Sequence, residues 1–155
     1  MKKHLKRIGA VFVTSMLVLG LGCQQGEIDP NQPGYLVPKT VDENPELLSI
    51  KVSDTQLHAE AFGDPKNPIL VILHGGPGYD YRSLLFCKQF VSNGFYVVFY
   101  DQRGSGLSKR HPQHSYKITT MSDDLEAVIQ YYRRSPAQKV FLLGHSWGPC
   151  WRVST

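Results

Sequence analysis

The sequence runs to 155 residues, enough for one domain. It carries 17 Lys+Arg against 13 Asp+Glu, but Lys2, Lys3, Lys6 and Arg7 supply the whole surplus, and residues 23–155 hold 13 of each sign. With the charge balanced there and no basic stripe interleaved with aromatics, nothing points to nucleic acid as a partner. Cys23, Cys87 and Cys150 do not make a disulfide framework. No Cys/His spacing suggests a metal site, so no metal or other cofactor is expected.

After the basic start, Ile8 to Leu21 is an apolar stretch broken only by Gly, Thr and Ser, too short to favour a membrane span. That is the pattern of an export signal. It ends in Leu19-Gly20-Leu21-Gly22-Cys23, which resembles a bacterial lipoprotein cleavage box, with Gly20 where a larger aliphatic is usual. The resemblance implies cleavage before Cys23, acylation of its sulfur, and a lipoprotein held to a membrane of the bacterial cell envelope. The alternatives are an ordinary signal peptide on a secreted protein, or an uncleaved anchor. Residues 1–22 are thus read as signal peptide. Residues 23–46, polar and containing Pro30, Pro33, Pro38 and Pro45, read as an extended linker. Residues 47–155 form the domain.

Leu47–Val52 and Gln56–Phe62 are short strand candidates separated by the turn cluster Ser53-Asp54-Thr55. Leu57, Ala59 and Ala61 alternate with His58 and Glu60, which predicts one wet face and puts His58 on it. Ile69–Leu73 is a continuous apolar run, the mark of a strand buried on both faces, and it ends in His74-Gly75-Gly76-Pro77-Gly78. Tyr81–Asn93 is a helix candidate closed by Gly94, with Leu84, Leu85, Lys88 and Val91 near one face and Phe86 and Phe90 adding to it. In this setting Cys87 reads as a small buried hydrophobe.

Phe95–Tyr100 is a further buried strand, followed by Asp101-Gln102-Arg103-Gly104-Ser105-Gly106-Leu107-Ser108. Asp101 and Arg103 are read as bracing that turn rather than as a catalytic acid and an anion clamp. His111 and His114 fall in a polar loop and are expected to be solvated. Thr120-Met121-Ser122-Asp123 has capping-box spacing. The helix after it places Leu125, Val128, Ile129 and Tyr132 at i, i+3, i+4 and i+7, one face for the sheet. Ser135-Pro136 ends that helix, and a last strand leads into Gly144-His145-Ser146-Trp147-Gly148. A G-x-S-x-G pattern after a strand reads as strand, sharp turn and helix, with the Ser at the apex in a strained conformation.

Strands alternating with helices imply right-handed crossovers and a mostly parallel sheet, with ligands at the carboxyl ends of the strands. His74–Gly78, Asp101–Ser108 and Gly144–Gly148 all fall at such ends. In this order and spacing they resemble the α/β-hydrolase fold and, within it, the proline iminopeptidase branch, serine peptidase family S33. The resemblance covers residues 47–148, about the first half of such a domain.

It implies Ser146 as nucleophile, with an oxyanion hole made by the backbone N–H groups of Trp147 and Gly76. Pro77 has no N–H, and Gly75 is the alternative donor. One such donor contributes roughly 3 kcal/mol to the transition state. In this fold an Asp or Glu and then a His follow the nucleophile, whereas Trp147 to Thr155 contain neither. His145 should point away from the hydroxyl, and His74 should brace its turn.

The expectation is therefore the N-terminal part of a serine hydrolase that releases N-terminal residues, preferably Pro, through an acyl-enzyme, inactive at this length. The alternatives are a hydrolase of esters, lactones or other amides, and a truncated lipoprotein without activity. The expected partners are a peptide or small-molecule substrate and, through Cys23, a membrane.

Overall fold

A computed structural model describes residues 37–76, 78–112 and 115–146. The signal segment, Cys23, Pro77, His114, Trp147, Gly148 and Cys150, with the expectations placed on them, lie outside the described residues. Among the described residues, five strands form one sheet: β1 (Ser49–Val52), β2 (Thr55–Phe62), β3 (Ile69–Leu73), β4 (Tyr96–Tyr100) and β5 (Val140–Gly144). Their order is β1-β2-β4-β3-β5. β3 pairs in parallel with β4 and with β5, whereas β2 runs antiparallel to β1 and to β4. The sheet is thus mixed, with a three-stranded parallel part extended on one edge by an antiparallel hairpin.

The apolar runs at 69–73 and 96–100 are buried throughout, as strands covered on both faces must be. Successive side chains alternate between the two faces. Ile69, Val71 and Leu73 join Leu57, Ala59, Val98 and Tyr100 on one face, under Leu125, Val128, Ile129 and Tyr132 of helix α1 (Ile118–Tyr132). Leu70, Ile72, Val97 and Phe99 face the other way, against Tyr81, Leu84 and Cys87. These three belong to a helix over Tyr81–Asn93. The chain leaves β3, crosses one face to β4, then returns across the other face to β5 on the far side of β3. Two crossovers of the same hand in opposite directions place their helices on opposite faces.

The helix over 81–93 differs in kind from the expectation. It is a 3-10 helix, begun by Asp80, whose carboxylate accepts from the Arg82 N–H, and closed by Gly94 in the left-handed region at φ 80°. With three residues per turn, the buried positions recur as Tyr81, Leu84 and Cys87. Cys87 packs as a buried hydrophobe, but Leu85 and Phe86 are exposed: a period of 3.0 turns Leu85 further from the Leu84 face, and Phe86 points away from that face at either period.

Further expectations are corrected. α1 begins at Ile118, and Met121 already donates to the Lys117 carbonyl, so Thr120 lies inside the first turn and does not cap. Nothing in Lys117-Ile118-Thr119 stops the helix from starting early. His58 is buried, not surface: the Tyr81 ring covers it, its Nδ1 lies 2.8 Å from the Leu48 carbonyl, and its Nε2 lies 3.0 Å from the Tyr81 hydroxyl. The face of β2 predicted to be wet is thus closed at this point by the 3-10 helix. The end of the segment read as linker is also docked. Val41 is buried, its N–H donates to Leu107 O, and its carbonyl accepts from Gln56 Nε2. The compact unit accordingly begins at Pro38.

Candidate active site

β3 and β5 are neighbours in register, Leu73 beside Gly144, and the His145 N–H adds one more bond to the Leu73 carbonyl. The turns that follow the two strands therefore emerge side by side at the same end of the sheet. This is also the point from which the two crossovers diverge, where open α/β sheets form a crevice. Ser146 is exposed, with φ 55°, in the left-handed region that a residue bearing a Cβ rarely adopts. The cost of such a conformation, about 1–3 kcal/mol, has to be met by the surrounding structure.

The glycine corner after β3 lies directly against it. A Cβ on Gly75 would sit 3.1 Å from His145 Nδ1, 3.2 Å from the His145 carbonyl oxygen and 3.2 Å from Ser146 Cβ. A side chain there would be crowded, and the neighbouring turn would have to give by a few tenths of an ångström. Gly76 follows with φ 37°, also left-handed. The structure thus brings Gly75 against Ser146, with Gly76 next in the chain and facing the Tyr79 ring. Trp147, the other expected donor, lies outside the described residues.

The third turn, after β4, holds this corner from behind. His74 is wholly buried. Its Nε2 accepts from the Gln102 N–H at 2.9 Å, and its carbonyl accepts from Gln102 Nε2 at 2.7 Å. Its Nδ1 lies 3.0 Å from the Gly75 carbonyl. A carbonyl only accepts and a backbone N–H only donates, so both contacts require the same neutral tautomer, with the proton on Nδ1. Burial pushes the imidazole below its ordinary pKa, which keeps it neutral. The expectation that His74 braces its turn agrees with this geometry. Gln102 is a brace that the sequence did not single out.

Asp101 and Arg103 tie the turn together. Asp101 accepts the N–H groups of Tyr81 (3.0 Å) and Leu107 (2.8 Å), and its carbonyl accepts from Ser108 Oγ at 2.6 Å. Burial pushes its carboxyl up, against those two donors. Arg103 grips Asp124 of α1 through Nε and one terminal nitrogen, both at 2.8 Å, and reaches Asp54 of the β1–β2 turn at 2.7 Å. Its other terminal nitrogen is buried without a partner among the described residues. The Asp124 carboxyl is pushed up by burial in spite of the guanidinium, whereas the guanidinium holds exposed Asp54 down. Asp124 was missed, although a carboxylate four residues before Val128, on the stripe facing the sheet, was a readable signal. His111, expected to be solvated, is half-buried, with Nε2 2.8 Å from Thr55 Oγ1.

Comparison with known proteins identifies the family and the fold. A family profile described as "Serine aminopeptidase, S33" matches residues 64–154, more than half of the chain. The chain is 42% identical over 89 residues to a probable aminopeptidase, YbaC, of Bacillus subtilis, covering 55% of this chain and 28% of that protein. It is 34% identical over 97 residues to epoxide hydrolase B of Mycobacterium tuberculosis, covering 61% and 26%. Among solved structures, a proline iminopeptidase-related protein from Thermus thermophilus superposes with a TM-score of 0.58 at 31% identity, over 66% of this chain and 36% of the other. The chain thus spans about a third of the length of such relatives. Its five-stranded mixed sheet with flanking helices is part of an α/β-hydrolase fold, and the chain belongs to the S33 serine aminopeptidase family.

Proposed function

We propose that the whole protein is a serine hydrolase of the proline iminopeptidase type, which releases N-terminal residues, preferably Pro, through an acyl-enzyme on Ser146. The observation that carries this is a serine hydroxyl on a left-handed bend, packed against a glycine corner at the carboxyl ends of two adjacent parallel strands. The Ser146 oxygen attacks the substrate carbonyl. The N–H of Gly76, with that of Trp147, receives the oxyanion, and Gly75 is the alternative donor. The proton of the hydroxyl must pass to a general base. In this family's order that base and its acid follow the nucleophile, beyond the third of the relatives' length that this chain spans.

The relatives include epoxide hydrolases, and simple chemistry separates them from this reading. A serine oxygen opening an epoxide forms an ether, which water does not cleave. A serine oxygen attacking a carbonyl forms an ester, which water does. Ser146 therefore favours a carbonyl substrate. An ester, lactone or other amide shares that carbonyl and is the second reading.

A fluorophosphonate probe should label Ser146 of the whole protein, located by peptide mass, and Ser146→Ala should abolish labelling. An unlabelled wild type would end the proposal. Faster turnover of prolyl p-nitroanilide than of p-nitrophenyl esters supports the peptidase reading, and the reverse supports the ester reading. We also propose an exported lipoprotein acylated at Cys23, supported by the basic start, the apolar stretch and the Cys at its boundary. Metabolic labelling with an alkyne fatty acid should mark the wild type and not Cys23→Ala. Equal labelling of the two would refute it.

A further inference from the structure

The contacts around His74 have a directional effect on the neighbouring peptide. The peptide between Gly75 and Gly76 is trans, as are all the described peptides. In a trans peptide the C=O and the following N–H point to opposite sides of one plane. His74 Nδ1–H lies against the Gly75 carbonyl, so the imidazole holds that C=O on its own side, and the Gly76 N–H leaves on the other. Glycines at 75 and 76, the second with φ 37°, would otherwise leave this plane among the easiest in the chain to rotate. Gln102 holds His74 at two points, its main-chain N–H filling Nε2 of the imidazole and its side-chain amide holding the main-chain carbonyl.

We propose that His74 and Gln102 are positioning residues that lock the Gly75–Gly76 peptide so that the Gly76 N–H is presented to the oxyanion formed at Ser146. This rests on the serine-hydrolase reading and adds to it the device that preorganises one donor. Electrostatic stabilisation of a developing charge needs its donors already aimed, since reorienting a peptide during the reaction costs what the donor supplies. The lock works in a single protonation state. A proton on Nε2 would set it against the Gln102 N–H and release the imidazole.

The test uses the whole protein and two variants, Gln102→Met, which keeps length and loses the amide, and His74→Ala. Fluorophosphonate labelling of the wild type comes first, because an unlabelled wild type sinks both this proposal and the reading beneath it. Given labelling, kcat and KM are measured per titrated site, with inhibition by phenylboronic acid, whose tetrahedral adduct places an oxygen where the oxyanion forms. Outright loss of one donor lowers kcat by about 10²–10³. A donor merely set loose should lose about 10- to 100-fold in kcat in His74→Ala, and less but measurably in Gln102→Met, whose main-chain N–H still fills Nε2, with KM within about threefold and boronate inhibition weakened by a similar factor. A variant that melts earlier but keeps wild-type kcat per site and boronate affinity overturns the proposal and leaves His74 a plain brace. Long-range proton–nitrogen spectra of the wild-type imidazole supply the second check: the proton belongs on Nδ1, and an Nε2–H tautomer overturns it equally.

Discussion

Asp124 and Asp54 meet the same guanidinium, and burial predicts that their removal has very different effects. The Asp124 side chain is 3% exposed and that of Asp54 is 71% exposed, while the Arg103 side chain is 1% exposed. Among the described residues, Asp124→Ala leaves a buried guanidinium with one terminal nitrogen already unpartnered and a solvated carboxylate, Asp54, to face. Breaking a buried pair by removing one partner costs about 3–5 kcal/mol. Since domains are stable by only about 5–15 kcal/mol, this variant should be close to unfolding. Asp54→Ala removes an exposed partner and should cost about 0–1 kcal/mol. The assay is urea unfolding followed by far-UV circular dichroism, with the three proteins compared at one pH and salt. The double variant Arg103→Met/Asp124→Leu, which removes the charges from both buried side chains, should recover most of the loss, because the pair itself contributes little beyond what its desolvation takes away. A loss below about 1 kcal/mol in Asp124→Ala, or equal losses in the two aspartate variants, would refute the reasoning, since burial would then not decide the outcome.

Three other outcomes follow from the site. Gly75→Ala puts a Cβ 3.1–3.2 Å from His145 and Ser146, so fluorophosphonate labelling of the whole protein should slow at least tenfold while far-UV dichroism stays unchanged; unchanged labelling would count against the close approach of the turns. Ser146→Gly relieves a left-handed residue and should raise stability by about 1 kcal/mol in the same urea assay while abolishing labelling, and a loss of stability would contradict the strain. The pH dependence follows from His74, whose pKa is held down in the fold. The unfolded chain takes up the proton first, near pH 6.5, so the contribution of His74 is full above about pH 6.5 and is lost as pH falls toward the depressed value. Asp101, pushed up by burial, has the opposite sign, its contribution being lost as pH rises through its carboxyl range. Urea midpoints should therefore fall from pH 7.5 to about pH 5.5 in the wild type and fall less in His74→Ala. Parallel curves would remove His74 from the account.

The residues that could be read directly were those whose environment is set by their own neighbours in sequence. The runs at 69–73 and 96–100 contain no polar residue, so no face of either strand could be wet, and both are buried. Leu125, Val128, Ile129 and Tyr132 form their stripe at any helical start. The three turns were placed at the carboxyl ends of their strands by order alone. His58 was misread because alternation along β2 shows only that two faces differ, not that the polar one is open; Tyr81, 23 residues away, closes it. Leu85 was misread because composition does not separate a period of 3.0 from one of 3.6, and Phe86 because it faces away from Leu84 at either period.

The sequence by itself determined the class of fold, the identity of the bent serine and the glycine corner, because each follows from local sterics and short-range periodicity. Only the tertiary structure decided that β3 and β5 lie side by side, that Gly75 touches Ser146, and that Gln102, Arg103 and Asp124 are what hold these turns. Those contacts join residues 21 to 71 positions apart. No pattern along the chain specifies them until the crossovers have set the strand order.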